Sequence, residues 1–362
     1  MNRKKFFKFV LKKATALKLA LALAFALAIF FQVGCAPKKE PALAPPAQPL
    51  WFGLHVLVEN KNAAEELLKE IPALAPLEMN LLVVEIDYNY EYISHPELRG
   101  EDPISKETAK KIVSLCRDLK IKLIPEFQSL GHQSWEKKTF PLLTRYPQFD
   151  ETPGQFPDNK DIYCRSWCPL HPDLNPIIFQ LYDELIDAFE VDALHVGMDE
   201  VFLIAAENCP RCKGKNPAEL FAKTVNDLYD HIVKERGLEM LMWGDRLIDG
   251  AATGYGEWEA SMNNTYPAVD LIPKDIIICD WHYTKRKSYP SIPMFLNKGF
   301  RVLPTSFKEV KAVKSLIDYS LAFSSERMLG HLCTIWRGPK KGEAKNPALV
   351  AASKKLHKYR LI

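Results

Sequence analysis

The chain has 362 residues, 47% of them hydrophobic and 26% charged. This is the composition of an ordinary globular protein and excludes disordered, collagen-like and coiled-coil chains. Its formal net charge is +3, but the first 35 residues contain seven basic residues and no acidic residue. The remainder therefore has 41 basic against 45 acidic residues, a net charge of −4. A slightly acidic body gives no electrostatic basis for binding nucleic acid.

Residues 1–34 have the pattern of a signal peptide. Residues 19–31 form an unbroken apolar run of 13 behind the basic stretch, shorter than the ~20 apolar residues that a spanning helix needs. The run leads to Gly34-Cys35, and a small residue before a cysteine resembles the lipobox of bacterial lipoproteins, with Gln32 in place of the usual Leu. The resemblance implies lipidation of Cys35 and a location on the cell envelope, periplasmic or at the cell surface. An uncleaved N-terminal anchor is the alternative.

Residues 35–50 read as a spacer between this signal and a folded domain. Five prolines lie within residues 36–50. A stretch of this composition cannot bury a core and tends to be extended. We therefore expect a single folded domain over residues 51–362.

Strand and helix patterns alternate eight times along that domain. The predicted strands are short apolar runs rich in Val, Ile and Leu, which is typical of parallel strands buried on both faces. They are residues 52–58, 80–87, 122–127, 193–199, 239–245, 275–281, 301–304 and 329–336.

Stretches with helical periodicity lie between the strands. The predicted helices are residues 63–71 (ending at Pro72), 105–119, 175–189 (capped by Asn175), 217–235, 290–298, 308–319 and 347–359. Eight such units predict an α/β fold, a single (β/α)₈ TIM barrel. An open doubly wound sheet is the rival, but no glycine-rich phosphate loop follows the first strand.

The predicted strand ends are unusually rich in acids and aromatic residues. Active sites of such barrels lie at the carboxyl ends of the strands. The residues found there are Glu85, Asp87, Glu126, Asp199, Glu200, Trp243, Asp245, Trp281, Tyr283 and Trp336. Aromatic rings with nearby carboxylates suit a sugar, whose ring has apolar C–H faces and polar hydroxyl edges.

Asp199 and Glu200 follow the fourth strand directly, in the sequence His-Val-Gly-Met-Asp-Glu. Neighbouring side chains on a strand point to opposite faces, so both carboxylates can serve one site only where the strand ends. Two carboxyl groups held close together can keep one ionised while the other carries a proton. This is what a general acid with an electrostatic helper requires. An Asp-Glu cap on the next helix is the structural alternative.

The same stretch, residues 195–200, resembles the His-x-Gly-x-Asp-Glu signature of glycoside hydrolase family 20, the β-N-acetylhexosaminidases. Residues 123–132, which end in Gly-His, are similar to the family's third-strand motif. The family also places sugar-enclosing aromatic residues at the ends of the fifth, sixth and eighth strands. The resemblance runs from about Trp51 to the C-terminus. It implies removal of terminal β-linked N-acetylhexosamine, GlcNAc or GalNAc, without a cofactor.

The resemblance also implies roles for individual residues. Glu200 would be the general acid and then the base, Asp199 would orient the substrate's acetamide, and Tyr283 would hydrogen-bond the acetamide oxygen. Trp243, Trp281 and Trp336 would enclose the acetamide and the sugar ring. Asp245 would bind a hydroxyl or hold Arg246, while His132 and Glu126 would support the residues that touch substrate.

The seventh strand supports the mechanism that the resemblance implies, in which the substrate's own acetamide oxygen attacks the anomeric carbon. Residues 301–307 contain no acid, whereas an ordinary retaining glycosidase needs a second carboxylate ~5 Å from the first. Attack by the substrate's own acetamide oxygen removes that need.

Three positions depart from the family pattern. Lys285, Arg337 and the His55 region stand where many members have an acid, a Gly-Glu pair and an arginine that grip the sugar hydroxyls. The candidate substitutes are Glu85, Asp87, Glu257 and Glu259. These departures keep two alternatives open: a glycosidase for another amino sugar or an internal linkage, and a non-catalytic glycan-binding lipoprotein.

Four cysteines lie in the loops on either side of the fourth strand: Cys164, Cys168, Cys209 and Cys212. Four thiolates can form a closed tetrahedral zinc site, and an exported protein also permits disulfides. Structural zinc, disulfides and free thiols therefore all remain open. No catalytic metal is expected, since no His-Glu-x-x-His or comparable ligand set is present.

Overall fold

The computed structural model describes residues 50–360. The predicted signal peptide, Cys35 and all but the last residue of the spacer lie outside the described residues, so those assignments stay predictions. Within residues 50–360, every helix is too short or too polar to cross a membrane.

Eight parallel strands close into a barrel, which confirms the predicted (β/α)₈ fold. Each strand hydrogen-bonds to its sequence neighbours, and the first strand pairs with both the second and the last. Each begins within two residues of its predicted start. The strands are β1 (Trp51–Leu57), β2 (Leu81–Glu85), β3 (Lys122–Ser129), β4 (Ala193–Gly197), β5 (Glu239–Trp243), β6 (Ile277–Trp281), β7 (Arg301–Ser306) and β8 (Gly330–Ile335).

Helices follow the strands on the outside of the barrel. They are α1 (Lys61–Leu74), α2 (Lys106–Asp118), α3 (Pro141–Arg145), α4 (Leu174–Phe189), α5 (Pro217–Tyr229), α6 (Gly250–Thr253), α7 (Gly256–Glu259), α8 (Ser291–Asn297), α9 (Val310–Ser320) and α10 (Pro347–Arg360). Asn60 and Asn216 cap α1 and α5 by accepting backbone N–H groups of the first turn.

Three predicted helix boundaries were wrong. Helix α5 ends at Tyr229, and residues Asp230–Glu235 continue it as a π-helix. Helix α1 continues through Pro72 to Leu74, because Leu74 is buried and its packing outweighs one lost backbone hydrogen bond near the helix end. Helix α4 begins at Leu174, with Asp173 rather than Asn175 at its N-cap position. The side chain of Asn175 instead donates to Asp227 on α5 at 2.8 Å.

The barrel has one core inside its strands and a larger one between strands and helices. The inner core includes Val83, Ile124, Leu241 and Ile277. At Gly53 a Cβ atom would lie 2.7 Å from Leu332 Cδ1, so the tightly filled interior leaves no room for a side chain there. The inner core fills the interior of the barrel. A ligand site can therefore form only among the loops at the carboxyl ends of the strands.

Candidate active site

The end of β4 has an unusual backbone. Gly197, Met198 and Glu200 have φ angles of 67°, 76° and 48°, a region that residues other than glycine seldom adopt. A Cβ on Gly197 would also lie 2.0 Å from Gln128 Oε1. The turn brings the side chains of both Asp199 and Glu200 to one cavity, as the position of the pair after the strand predicts. Backbone strain of this kind is often concentrated at functional sites.

The cavity has a volume of about 870 Å³, within the range of sites for small organic ligands. Eight of the predicted or suggested residues line it: Glu85, Asp87, His132, Asp199, Glu200, Trp281, Tyr283 and Trp336. Trp243, Asp245 and Glu126 are not among its lining residues.

His132 lies between the two carboxylates. Its Nε2 is 3.5 Å from Asp199 Oδ2 and 3.3 Å from Glu200 Oε2. Burial opposes protonation, but Asp199 and its neighbours raise the pKa of His132 well above its ordinary value. The imidazole therefore takes up a proton more readily than a free histidine, and its position between Asp199 and Glu200 keeps the two carboxylates apart.

The backbone of Glu200 is fixed by a hydrogen bond to the side chain of Asp245. Asp245 Oδ2 accepts hydrogen bonds from the Glu200 backbone N–H at 3.0 Å and from Arg246 Nε at 2.6 Å. Burial raises the pKa of Asp245 to about 6. Of the two roles expected for Asp245, the structure has the one in which it holds Arg246, and it adds a direct bond to the backbone of Glu200.

Three aromatic side chains form one wall of the cavity. The rings of Trp281 and Tyr283 lie 4.8 Å apart, and Trp336 Nε1 donates to the Tyr283 hydroxyl at 2.9 Å. Because the hydroxyl oxygen accepts this bond, its own hydrogen can be donated to a substrate oxygen.

Trp243 differs from its predicted place in this wall. Its side chain is fully buried in the inner core, and its Nε1 donates to Glu126 Oε1 at 2.8 Å. As the last residue of β5 it points into the barrel, where its ring lies 5.7 Å from Trp336. In this structure Trp243 therefore lies beneath the cavity and is not among its lining residues.

A second cluster lies beneath the cavity and was not predicted. His55 Nε2 is 3.1 Å from Glu85 Oε2 and 3.0 Å from Glu126 Oε2. Burial opposes the charge, but Glu126 and Glu85 raise the pKa of His55 to about 10. His55 lies on β1, in the region where the family pattern has an arginine, so a histidine cation now balances these two carboxylates.

The structure separates the four candidate substitutes for the missing hydroxyl-binding groups. Glu85 and Asp87 line the cavity, and Glu257 and Glu259 do not. Glu259 is instead paired with His282 at 2.6 Å. Arg337 also lies away from the cavity lining and is paired with Glu343.

The cavity rim has two aromatic residues that were not predicted, Trp135 and Tyr163. The Trp135 ring stacks on His132 at 5.6 Å and is 45% exposed. Tyr163 lies 5.1 Å from Trp135 and 6.2 Å from His132, ring to ring. Trp135 could have been predicted from the sequence, because it follows His132 by only three residues.

Among residues 50–360, three groups of side chains have ligand atoms close enough to hold a metal ion. In two of them, around His132 and His55, a histidine already lies between the carboxylates. The third contains Glu151, Cys168, Cys209 and Cys212. Of the four loop cysteines, Cys164 is not part of this group, because its Sγ instead donates to the Glu200 carbonyl at 3.4 Å.

Comparison with known proteins assigns the chain to a family. The family profile "Glycosyl hydrolase family 20, catalytic domain" matches residues 89–310, more than half of the chain. The chain belongs to this family. The resemblance to glycoside hydrolase family 20 is thereby confirmed.

Individual family 20 relatives are distant and longer. A lacto-N-biosidase of Bifidobacterium bifidum is 24% identical over 228 residues, 59% of this chain and 18% of that protein. A beta-hexosaminidase of Akkermansia muciniphila is 27% identical over 114 residues, 31% of this chain and 22% of that protein. The structure of Flavobacterium johnsoniae chitobiase has a TM-score of 0.61 at 19% identity, with 84% of this chain and 48% of that chain covered. The chain thus spans about a fifth of the curated relatives and half of this solved structure.

Proposed function

We propose that the protein is a retaining glycoside hydrolase that removes terminal β-linked N-acetylhexosamine. One observation carries the proposal: Asp199 and Glu200 face the same cavity as Trp281, Tyr283 and Trp336. A site that only binds glycan needs the aromatic wall but has no use for a proton donor beside it. Family 20 membership supports the same activity.

In the proposed first step, the acetamide oxygen of the substrate attacks the anomeric carbon. The Glu200 carboxyl group gives its proton to the glycosidic oxygen as the bond to the leaving group breaks. Asp199 accepts the acetamide N–H and stabilises the positive charge that develops there, while Tyr283 donates to the acetamide oxygen. The aromatic wall aligns the attack and excludes water.

In the second step a water molecule opens the cyclic oxazolinium intermediate. The Glu200 carboxylate removes a proton from this water, and the water oxygen bonds to the anomeric carbon. The ring C–O bond to the acetamide breaks, which restores the acetamide and the starting configuration. Strand β7 ends without a carboxylate, which supports attack by the substrate's own group in place of a protein nucleophile.

Chromogenic glycosides test this proposal with the purified protein. We expect release of the chromophore from β-GlcNAc or β-GalNAc glycosides and no release from the matching β-glucoside, which lacks the acetamide. N-acetylglucosamine-thiazoline, a mimic of the cyclic intermediate, should inhibit. Equal cleavage of the glucoside, or full activity with the thiazoline present, would contradict acetamide participation.

A second candidate is cleavage at an internal linkage or of a larger unit. The cavity continues past the reaction centre to the charged side chains of Arg99, Lys138 and Arg145. The usual hydroxyl-gripping groups are also absent from positions 285 and 337. If this candidate holds, oligosaccharide glycosides will be cleaved faster than the monosaccharide glycosides.

We further propose, from the sequence alone, that the enzyme is exported and anchored by a lipid on Cys35. A glycosidase displayed on the envelope would meet polymeric glycans outside the cell. Mass spectrometry of the mature N-terminus should find acylated Cys35, and a mature protein that retains residues 1–34 would contradict the proposal.

A further inference from the structure

Three thiols and one carboxylate meet in a buried cluster between two loops next to the proposed active site. Glu151 and Cys168 belong to the segment between α3 and α4, and Cys209 and Cys212 belong to the loop after β4. The sulfur of Cys168 is 3.5 Å from those of both Cys209 and Cys212. One ligand atom from each of the four residues lies within 4.8 Å of all the others.

These separations suit a tetrahedral metal ion. With Zn–S bonds of about 2.3 Å, the sulfurs of a tetrahedral site lie roughly 3.8 Å apart. The sulfur pairs observed here are close to that spacing, and the cluster needs only small shifts to surround an ion. All three cysteines are buried, so the site would be closed, as structural zinc sites are.

Glu151 supplies independent evidence for a cation. Its side chain is fully buried, and its Oε1 accepts the Ala206 backbone N–H at 3.0 Å. Its Oε2 has no hydrogen-bond partner within the part of the chain that the structure describes. Because an unpaired buried carboxylate oxygen is costly, a bound cation would remove that cost.

Backbone amides already face two of the sulfurs. The N–H of Leu170 points to the Cys168 sulfur, and those of Arg211 and Cys212 point to the Cys209 sulfur. Amides in these positions stabilise thiolates and fix the direction of metal ligands. A disulfide would join only two of the three sulfurs and would not use the Glu151 carboxylate as a ligand.

We propose that Cys168, Cys209, Cys212 and Glu151 bind one structural Zn²⁺ ion. Three thiols lose their protons to solvent, and the three thiolates and one carboxylate coordinate the ion. Cys164 is not a ligand, since its sulfur contacts the Glu200 carbonyl. The ion would fasten the segment before α4 to the loop after β4, the loop that contains Glu200.

X-ray absorption at the zinc edge tests the ligand set on the unaltered protein. We expect about one zinc per chain, with three sulfur neighbours at about 2.3 Å and oxygen at about 2.0 Å. Elemental analysis after removal of any affinity tag gives the stoichiometry. Four sulfur neighbours would overturn the proposal, because Glu151 would then not be a ligand.

Variants provide the second test. Cys209→Ser and Glu151→Ala should lose most of the zinc, whereas the control Cys164→Ser should retain it. Zinc loss from Cys164→Ser, or retention in Cys209→Ser, would contradict the assignment. If the ligand variants do not fold, intact-mass and thiol analysis of the wild type still decides. A protein without zinc overturns the proposal, whether its thiols are free or joined in a disulfide.

Discussion

Two clusters in this barrel each place one histidine between two carboxylates, and they differ in what they face. In the buried cluster His195 also lies 3.2 Å from Glu126. His132, Asp199 and Glu200 all line the cavity. His55 and Glu126 are fully buried, and only Glu85 of that cluster reaches the cavity. The ion-pair distances are similar, 3.3 to 3.5 Å and 3.0 to 3.1 Å.

This comparison shows that residue types and spacing alone do not identify a catalytic group. A carboxylate can give a proton to a ligand only if the ligand can reach it. In the buried cluster the same groups compensate one another's charge and thereby support the floor of the site. Substitutions should therefore lower activity in the first cluster and stability in the second.

The largest effect is expected for Glu200→Gln. The amide keeps the shape of the side chain but cannot act as an acid or base, so we expect kcat to fall by roughly 10²–10⁴-fold. Steady-state kinetics on a chromogenic β-N-acetylhexosaminide measures this loss. The thermal midpoint should change little. Glu207→Gln, an exposed glutamate in the loop after β4, is the matched control and should keep full activity. An unchanged kcat in Glu200→Gln would remove the proton donor from the proposed mechanism.

Tyr283→Phe should give the next largest loss of activity. It deletes the hydroxyl that would donate to the acetamide oxygen, and loss of such a donor costs roughly 10²–10³-fold in kcat. Trp336 also loses the acceptor for its Nε1 group. Tyr229→Phe is the control, because its hydroxyl bonds only Asp275, at 2.6 Å, on the outside of the barrel. Equal kcat values for the two variants would place the acetamide elsewhere.

His55→Gln should mainly lower stability, whereas the two substitutions above mainly lower activity. Removing the cation takes the buried partner from Glu85 and leaves Glu126 with His195, 3.2 Å away, and the Trp243 N–H. Breaking a buried pair costs about 3–5 kcal/mol. Urea unfolding measures the difference. His357→Gln is the control, because His357 pairs with Glu78 at an exposed site, where a pair contributes at most about 1 kcal/mol. A loss in His55→Gln no larger than in the control would show that the buried cluster is not stabilising.

The pH dependence sharpens the same test. The pKa of His55 is raised from 6.5 to about 10 in the folded protein. Its contribution to stability is therefore complete below pH 6.5 and is lost as the pH rises to about 10. The stability gap between wild type and His55→Gln should narrow over that interval. A gap that stays constant across it would mean that His55 does not carry the charge.

The sequence predicted the barrel and the centre of the site because both depend on local order along the chain. Buried parallel strands are visible in the sequence as short apolar runs, and Asp199 and Glu200 come directly after one of them. The direction in which the last side chain of a strand points depends on its neighbours in the fold. The sequence therefore predicts Trp243 in the wall of the cavity, whereas the structure has it in the inner core. Glu151 lies in an irregular loop, and only the folding of that loop against β4 brings it to the cysteines. The sequence shows His55 only as a departure from the family pattern. Its ion pairs could not be predicted, because its partners Glu85 and Glu126 come from two other strands.

Trp243→Phe should have the smallest effect and separates the floor of the site from its wall. The change removes the Nε1–H that donates to Glu126, and a buried acceptor without its donor costs about 1–3 kcal/mol of stability. KM should stay unchanged because the ring does not line the cavity. Trp336→Phe should behave in the opposite way, with a raised KM and little loss of stability, since Trp336 lines the cavity and is only half-buried. If Trp243→Phe raised KM as much as Trp336→Phe, the Trp243 ring would have to reach the ligand. In that case the wall of three tryptophans implied by the family resemblance would describe the site better than the buried position found here.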